Sequence, residues 1–250
     1  MKKIAIILSI LMVIGFATVG NATLWDRGGG LIYDDVLKVT WLQDANYAKT
    51  SGYDADGGMT WEEAKTWAKN LEYYDSVRNV TWKDWRLPNI LPINGIDYIL
   101  TSNSYYTGSA DRGYNVSAPE SVYAGSTGSE LAYMYYNNLG NLAVTDINGN
   151  TRALSDVGLK NTGPFVNMQS SGYYSGQNDK IYYPDHCWEF VFSVWSAGLQ
   201  DWGSTYQNNY YAWGVRDGDV GLPSVPEPTT LLLLGLGLVG LAELRRRFRK

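Results

Sequence analysis

The sequence of 250 residues predicts an α+β fold, in which an early β-hairpin and two helices precede a C-terminal antiparallel sheet. Short apolar runs at 31–33 and 39–42 flank the Asp34-Asp35 turn and predict the hairpin. Residues 188–195 alternate with a period of two, which is typical of a strand. About 200 residues lie between two hydrophobic terminal segments, which suits a single domain over 23–222.

The first helix has the strongest local signal. Thr60 and Glu63 have the spacing of a capping box, in which each side chain bonds to the other residue's backbone N–H. The apolar residues behind it recur at helical spacing: Trp61, Ala64, Trp67, Ala68 and Leu71. This pattern predicts an amphipathic helix over 61–72 with one buried stripe.

A second helix is predicted to begin at Ser129 and to end at Gly140. Its buried stripe contains Leu131, Met134, Tyr135 and Leu139. The preceding residues 101–128 are rich in Ser, Gly, Asn and Tyr and are interpreted as a long surface excursion. After the helix, Asn148-Gly149 marks a hairpin-like turn.

The last third is predicted to be sheet. One face of its first strand carries Trp188, Phe190, Phe192 and Val194, and the other carries Glu189, Val191, Ser193 and Trp195. Tyr211, Trp213 and Val215 repeat the same period before Asp217-Gly218.

The N-terminal residues have the pattern of a secretory signal peptide. Lys2 and Lys3 precede an apolar stretch, which small residues follow up to Ala22. We expect signal peptidase to cut after Ala22, so that residues 1–22 are removed and the body is exported. The alternative is an anchor helix that is never cut.

Residues 223–250 combine a Pro-Glu-Pro turn, an apolar stretch over 231–242 and a basic end. The apolar stretch is short against the roughly 20 residues that span a hydrocarbon core, yet snorkelling arginines let it cross a thinned bilayer. The basic end is expected to stay cytoplasmic, which leaves the body outside. The residues that carry the pattern are Pro226, Glu227, Pro228, Arg245, Arg246, Arg247, Arg249 and Lys250.

In this order and at this distance from the terminus, these residues resemble the PEP-CTERM sorting signal of Gram-negative bacteria. The resemblance implies an exosortase as the processing partner, with cleavage near Pro-Glu-Pro. The C-terminal hydrophobic helix would then anchor the protein only transiently, before it reaches the cell surface or the extracellular space. Lipid-anchor signals that lose a hydrophobic tail follow the same logic. The alternative is a plain membrane anchor that stays in place.

The body between the two signals is acidic. Without the terminal segments it has 13 basic and 23 acidic residues, a net charge of −10. A body with this charge repels phosphate backbones, so nucleic acid is not an expected partner.

The chain has one cysteine, Cys187, and one histidine, His186. An intrachain disulfide and a four-ligand Cys/His zinc site are therefore excluded. Adjacent residues on a strand point to opposite faces, so His186 is not placed to activate Cys187. We interpret Cys187 as a buried structural residue.

The body also resembles the Lcl C-terminal domain family over residues 29–220. Its most specific matching segments are Asp84-Trp85-Arg86-Leu87-Pro88 and Tyr211-Ala212-Trp213-Gly214-Val215-Arg216. The other matching segments are 30–41, 60–64, 129–131, 139–141, 161–165 and 174–176. The sequence departs from the family pattern at Tyr173-Tyr174-Ser175 and at 89–95.

The resemblance implies a C-type-lectin-like fold, related in shape to the formylglycine-generating enzymes. It does not imply the catalytic activity of those enzymes, because that activity needs two active-site cysteines and this chain has only Cys187. Because the Lcl family includes an adhesin domain that engages sugars, the resemblance also suggests a glycan ligand.

The composition independently favours a non-enzymatic binding module for glycan or exopolysaccharide. The chain has 10 tryptophans and 20 tyrosines, and such rings stack on sugars while Asn and Asp bond to hydroxyls. Four tryptophans on periodic apolar faces are expected in the core: Trp61, Trp67, Trp188 and Trp213. The candidate ligand contacts are Trp82, Asp84, Arg86, Trp195 and Trp202. Asp84 and Arg86 could pair, because they lie on the same side of an extended segment; such a pair is more often structural than a ligand clamp.

Two other functions stay open. A purely structural matrix component would have the same composition. A surface glycan hydrolase would need two converging carboxylates, whereas Glu62 and Glu63 diverge on one helix. The sequence contains no Gly-x-Ser-x-Gly, His-Glu-x-x-His or phosphate-loop motif, so we do not expect an enzyme.

No cofactor is predicted, and calcium is the weaker option. Asp54-x-Asp56-Gly57 and Asp146-x-Asn148-x-Asn150 offer oxygen ligands at alternate positions. Neither segment continues to the Glu that completes an EF-hand loop. Solvated Asp and Asn turns are therefore the preferred interpretation.

Overall fold

The computed structural model describes residues 23–100, 105–178, 185–206 and 210–222. The predicted signal peptide at 1–22 and the sorting segment at 223–250, with its hydrophobic helix, lie outside the described residues. Within the described ranges, no helix combines the length and the apolar character that crossing a bilayer requires.

The described residues form a mixed arrangement of short helices and antiparallel sheets. In chain order the elements are β1 (Leu24–Asp26), β2 (Leu31–Asp34), β3 (Val39–Leu42), α1 (Tyr47–Thr50), β4 (Gly58–Met59), α2 (Trp61–Asn70), β5 (Tyr73–Asp75), β6 (Val80–Trp82), β7 (Gly113–Tyr114), α3 (Glu130–Tyr133), a π-helical turn (Met134–Asn138), β8 (Gly172–Asn178), β9 (His186–Val191), β10 (Leu199–Ser204), β11 (Tyr210–Tyr211) and β12 (Val215–Asp217).

The first sheet joins the two ends of the described chain. Its strand order is β1-β2-β3-β12, and all neighbours are antiparallel. The predicted hairpin is confirmed as β2 and β3. At its turn, Asp34 Oδ1 accepts bonds from the backbone N–H groups of Val36 and Leu37, at 3.0 and 2.9 Å. Asn138 donates to the other oxygen of the same buried carboxylate, which ties the hairpin to the end of the second helix.

The second sheet has the strand order β4-β11-β8-β9-β10-β7. Its strand β9 is buried on both faces. Phe190 packs against Tyr135 in the π-helical turn, with ring centroids 5.3 Å apart, and the Trp61 indole N–H on α2 donates to Ser175 O on β8 at 2.8 Å. The six-stranded sheet therefore packs against both α2 and the π-helical turn, and Glu189 on β9 is buried.

The predicted strand pattern of the last third needs two corrections. Strand β9 ends at Val191 rather than Trp195. Tyr211 and Val215 also belong to different sheets, because the chain crosses from one sheet to the other between them. Trp213 fills the crossing point and packs against Trp41 and Phe165, with centroid distances of 4.6 and 4.7 Å.

Both predicted helices are present, although α2 ends at Asn70 rather than at residue 72 and only Glu130–Tyr133 of the second helix is α-helical. At the start of α2, Thr60 Oγ1 accepts from the Glu63 N–H, and the Thr60 N–H donates to Glu63 Oε2 at 2.9 Å. Ser129 caps α3, which continues as the π-helical turn until Gly140 takes a positive φ of 65°. The π-helical turn carries the consecutive buried rings of Tyr135 and Tyr136, which both contact Phe190.

The prediction of a surface excursion over 101–128 is wrong for 108–118, where most residues are buried, whereas most of 119–128 is exposed or half-exposed. Asp111 is fully buried and accepts the backbone N–H groups of Ile93 and Ile99, both at 2.7 Å. Asn115, also buried, donates its amide to two backbone carbonyls. Side chain–backbone hydrogen bonds thus hold this segment in place. Because polar side chains make these bonds, the segment has no apolar periodicity that would predict its burial.

The core confirms the tryptophan assignment. Trp61, Trp67, Trp188 and Trp213 are 3%, 2%, 1% and 0% exposed. Cys187 is a free, fully buried cysteine, as the sequence predicted. Burial raises the pKa of its thiol to about 12, with a smaller contribution from Glu189.

The capping box of α2 gives a stability prediction. Thr60→Ala removes the acceptor of the Glu63 N–H and should lower the free energy of unfolding by about 1 kcal/mol. Urea denaturation followed by tryptophan fluorescence measures this change. Thr66→Ala, at an exposed position of the same helix, is the matched control and should change stability by less than about 0.5 kcal/mol. Equal losses in the two variants would contradict the capping role.

The burial of Cys187 gives a reactivity prediction. Because the thiolate is the reactive form, the native thiol should react with Ellman's reagent at pH 8 far more slowly than the unfolded chain. Reaction in 6 M urea, monitored by absorbance, provides the reference rate. Similar rates for native and unfolded protein would show that the thiol is accessible.

Candidate ligand-binding surface

The first group of predicted contacts lies around the Trp82-to-Arg86 segment. Asp84 and Arg86 do not pair with each other, contrary to the expectation. Asp84 instead accepts two bonds from Arg216, with Nε–Oδ1 at 2.9 Å and Nη2–Oδ2 at 2.8 Å. The guanidinium of Arg216 lies 4.2 Å from the centroid of the Trp82 ring. The partner of Asp84 is therefore Arg216 of β12, and not Arg86, which lies two residues further along the chain.

Arg86 has its own partners. Its guanidinium binds both oxygens of Glu130 at 2.8 Å and one oxygen of Asp217. Glu130 is largely buried and also accepts the backbone N–H of Asn89 at 2.7 Å. These bonds join the Trp82-to-Arg86 segment, α3 and β12, so the polar groups of Asp84 and Arg86 are engaged within the fold.

The second group consists of Trp195 and Trp202. Trp195 is 76% exposed in the turn after β9. Trp202 lies half-buried on β10, where its ring meets Trp188 at 5.3 Å. The structure therefore does not gather the five predicted contacts into one site, because Trp202 lies on the six-stranded sheet and Trp82 on the β5–β6 ribbon.

Trp202 belongs to a cluster that sequence reasoning missed. We call it the tyrosine face, and it consists of Tyr105, Tyr106, Arg112, Tyr114, Asp201 and Trp202. Tyr106 and Tyr114 are stacked, with centroids 6.2 Å apart and an interplanar angle of 19°. Tyr105 meets Tyr114 edge to face at 5.7 Å.

An ion pair lies at the centre of the tyrosine face. Arg112 Nε binds Asp201 Oδ1 at 2.6 Å, and its guanidinium lies 4.6 Å from the Trp202 centroid. The Tyr105 hydroxyl donates to Asp201 Oδ2 at 3.3 Å. Burial and the charge of Asp201 raise the pKa of Tyr105 to about 12, so its hydroxyl stays protonated at physiological pH.

The tyrosine face forms because β7 and β10 pair at the edge of the six-stranded sheet. The register Leu199↔Tyr114 places the residues around Arg112 beside β10. The Tyr105-Tyr106 pair and Tyr114 were visible in the sequence as an aromatic enrichment. The segment that contains them was predicted from the sequence to be a surface excursion. Only the pairing of β7 with β10 shows that these tyrosines lie beside Asp201 and Trp202.

A cleft of about 550 Å³ lies beside α2. Lys65, Lys69, Asn89 and Gln177 contribute polar groups to its lining, and Gln177 Nε2 donates to Asn89 Oδ1 at 2.7 Å. Among the described residues that line it, Glu62 is the one carboxylate, and it binds Lys65 at 3.4 Å. The cleft offers hydrogen bonds to a polar ligand, while a typical glycosidase needs two facing carboxylates.

The two candidate calcium segments are Asx turns. Asp54 Oδ1 accepts the backbone N–H groups of Asp56 and Gly57 at 3.0 and 2.7 Å. Asp146 Oδ1 accepts those of Asn148 and Asn150 at 2.9 and 2.8 Å. Within the described ranges, no group of three or more His, Cys, Asp or Glu side chains is arranged to hold a metal ion. The prediction of no cofactor, with calcium as the weaker option, stays a prediction.

One segment of the chain, at its C-terminal end, matches a known protein-family model. Residues 224–250 match the PEP-CTERM protein-sorting motif. The motif indicates an exosortase-sorted protein, which is exported, associates with the membrane for sorting and then reaches the surface or the extracellular space. No curated protein and no solved structure matches the chain. The match defines how the protein is sorted, and it lies outside the described residues.

The Asp84–Arg216 pair gives a pH-dependent prediction. Hydrogen bonds from Arg216 lower the pKa of Asp84, so this carboxylate stabilises the fold above its unfolded pKa of about 4, and the contribution is lost as the pH falls. Asp84→Asn should therefore lower stability at pH 7 by about 1 kcal/mol, a value reduced for the exposure of Asp84. The difference from the unsubstituted protein should disappear near pH 2.

Urea unfolding at pH 7, 4 and 2 measures this difference. Glu62→Gln is the matched control, because it breaks an exposed ion pair on the surface of α2 and should cost at most about 0.5 kcal/mol. A constant difference across the three pH values would show that Asp84 acts through packing rather than charge.

Proposed function

We propose that the exported body is a non-enzymatic module that binds glycan or exopolysaccharide at the cell surface, with the tyrosine face as its contact surface. The observation that carries this proposal is the grouping of Tyr105, Tyr106 and Tyr114 with Trp202 around the Arg112–Asp201 pair. Aromatic faces exclude water from the apolar faces of sugar rings, and adjacent charged groups bond to hydroxyls.

The exposure of the cluster supports this role. Tyr106 is 39% exposed, and the side chains of Arg112 and Asp201 are 38% and 18% exposed. The rings are fixed by their neighbours before any ligand binds, which limits the entropy lost on binding. Trp195, Trp82, Asp84 and Arg86 lie elsewhere and play no part in the proposed surface.

We also propose that the body has the C-type-lectin-like fold implied by the Lcl resemblance. Two features support this assignment. Strand β12 returns to pair with β3, so that the first and last strands share a sheet. In addition, the two most specific matching segments are neighbours in space, since Arg86 N donates to Val215 O at 2.8 Å and Val215 N donates to Arg86 O at 2.9 Å.

The carboxylate content of the α2 cleft favours binding over hydrolysis, because Glu62 has no second carboxylate among the described lining residues. A purely structural matrix component is the other candidate. It would need no ligand surface, so affinity for polysaccharide separates it from the proposed module.

Retention on immobilised exopolysaccharides tests the proposal. Tyr106→Ala and Trp202→Ala each remove a ring of the tyrosine face and should weaken retention about 3- to 10-fold. Tyr53→Ala, at a 52% exposed tyrosine outside the face, is the matched control and should bind like the unsubstituted protein. Circular dichroism checks that each variant is folded. If no polysaccharide retains the unsubstituted protein, the binding proposal is wrong and the structural alternative gains support.

A further inference from the structure

The C-terminal end of the described chain is held by two arginines, which we call the exit clamp. Arg78 Nη2 donates to the carbonyl oxygens of Gly221 and Arg27, both at 2.6 Å, and its Nε donates to Val220 O at 3.1 Å. Arg27 binds Asp219 through two bonds of 2.9 and 2.6 Å. The chain is therefore fixed up to Gly221, immediately before the sorting segment.

The exit clamp limits how far the body can move from the membrane. Ten residue steps separate Gly221 from Leu231, the first residue of the apolar stretch in the sorting motif. A fully extended chain covers at most about 35 Å over ten residues. The polar headgroup layer alone takes up about 5–8 Å of that reach on each side of the hydrocarbon. While the apolar stretch is in the bilayer, the exit side of the body must stay close to the lipid surface.

That side carries an exposed apolar group, which we call the exit patch: Trp25, Val77, Val80 and Leu222. These residues are 47%, 40%, 39% and 74% exposed. Leu222 follows the clamped Gly221 directly, and Val80 pairs with Asp75, to which Arg78 is bound. A Cβ at Gly28 would lie 3.6 Å from Val77, which places Val77 beside the end of β1.

Two ion pairs lie beside the exit patch. Arg27 binds Asp219, and Arg78 binds Asp75, in both cases at 2.7 Å or less. The indole N–H of Trp25 donates to Asp35 at 3.0 Å. The Trp25 ring lies 5.7 Å from the Arg27 guanidinium, and an exposed tryptophan with a bonded N–H is a side chain that favours the membrane–water interface.

We propose that the exit patch rests on the outer surface of the cytoplasmic membrane while the sorting segment is inserted. This inference uses the sorting motif and does not depend on glycan binding. The acidic body repels anionic lipid, so contact needs the tether, which holds the patch at a high effective concentration near the surface. The exit clamp sets the length of that tether and the side of the body that faces the lipid.

Fluorescence quenching tests the contact. The mature chain, residues 23–250 with Cys187→Ala, is reconstituted through its own C-terminal segment into vesicles of phosphatidylethanolamine and phosphatidylglycerol at 3:1, because the predicted signal peptide would add a second anchor beside Trp25. An NBD fluorophore is attached at Val77→Cys and, as a matched control, at Ile96→Cys, which is 79% exposed outside the patch. A nitroxide on the lipid headgroup should quench the label at position 77 at least twofold more strongly than the label at position 96. Equal quenching at the two positions would overturn the proposal.

Changing the tether tests the mechanism. Ten Gly and Ser residues inserted between Leu222 and Pro223 leave the exit clamp intact and double the distance along the chain to Leu231. The docked fraction should fall about threefold, because effective concentration decreases with roughly the −3/2 power of tether length. Arg78→Gln should have the same direction of effect by freeing Val220 and Gly221, while Arg27 still holds Asp219, and the insertion covers the case in which this variant does not fold. Quenching at position 77 that is unchanged by the insertion would contradict docking through the tether.

Discussion

The pairing of β12 with β3 and with Arg86 is the constraint on which the rest of the structure depends. The isolated bridge between Arg86 and Val215 and the ladder between β3 and β12 bring together residues that are more than a hundred positions apart. Two ion pairs, Asp84–Arg216 and Arg86–Glu130, support this closure. Because the closure places the end of the body beside the first hairpin, it also determines where the sorting segment leaves the fold.

The sequence was informative where the determining interaction is local. The hairpin at Asp34 and the capping box at Thr60 each depend on residues three or four positions apart, and both are present. The partners of Asp84 and Arg86 were predicted incorrectly because they come from β12 and α3. The change of sheet between Tyr211 and Val215 was also missed, since a period of two continues unchanged through a crossing that no local feature marks.

The candidate site was predictable only in part, for a similar reason. Apolar periodicity placed four tryptophans in the core, whereas Trp82, Trp195 and Trp202 were the candidate contacts; Trp195 is 76% exposed, and the other two are half-buried. The tyrosine face was not visible, because it forms where β7 meets β10, and the β7 side was assigned to an excursion. Serine, asparagine and glycine in that segment were taken as signs of solvent exposure. In the fold, buried Asn115 and Asp111 bond to backbone groups, so a segment of the same composition is packed into the body.

The residues that close the fold and the residues of the proposed contact surface are different sets, and only the first set overlaps with the proposed family resemblance. The proposed Lcl resemblance depends chiefly on 84–88 and 211–216, and these segments contribute buried rings, backbone bridges and ion pairs that close the fold. The proposed contact residues at 105–114 and 201–202 lie outside every matching segment. A scaffold constrained by closure can therefore stay the same while the tyrosine face changes. It follows that a shared fold would not by itself specify the same ligand, and that the ligand has to be determined from the rings and charges of this face.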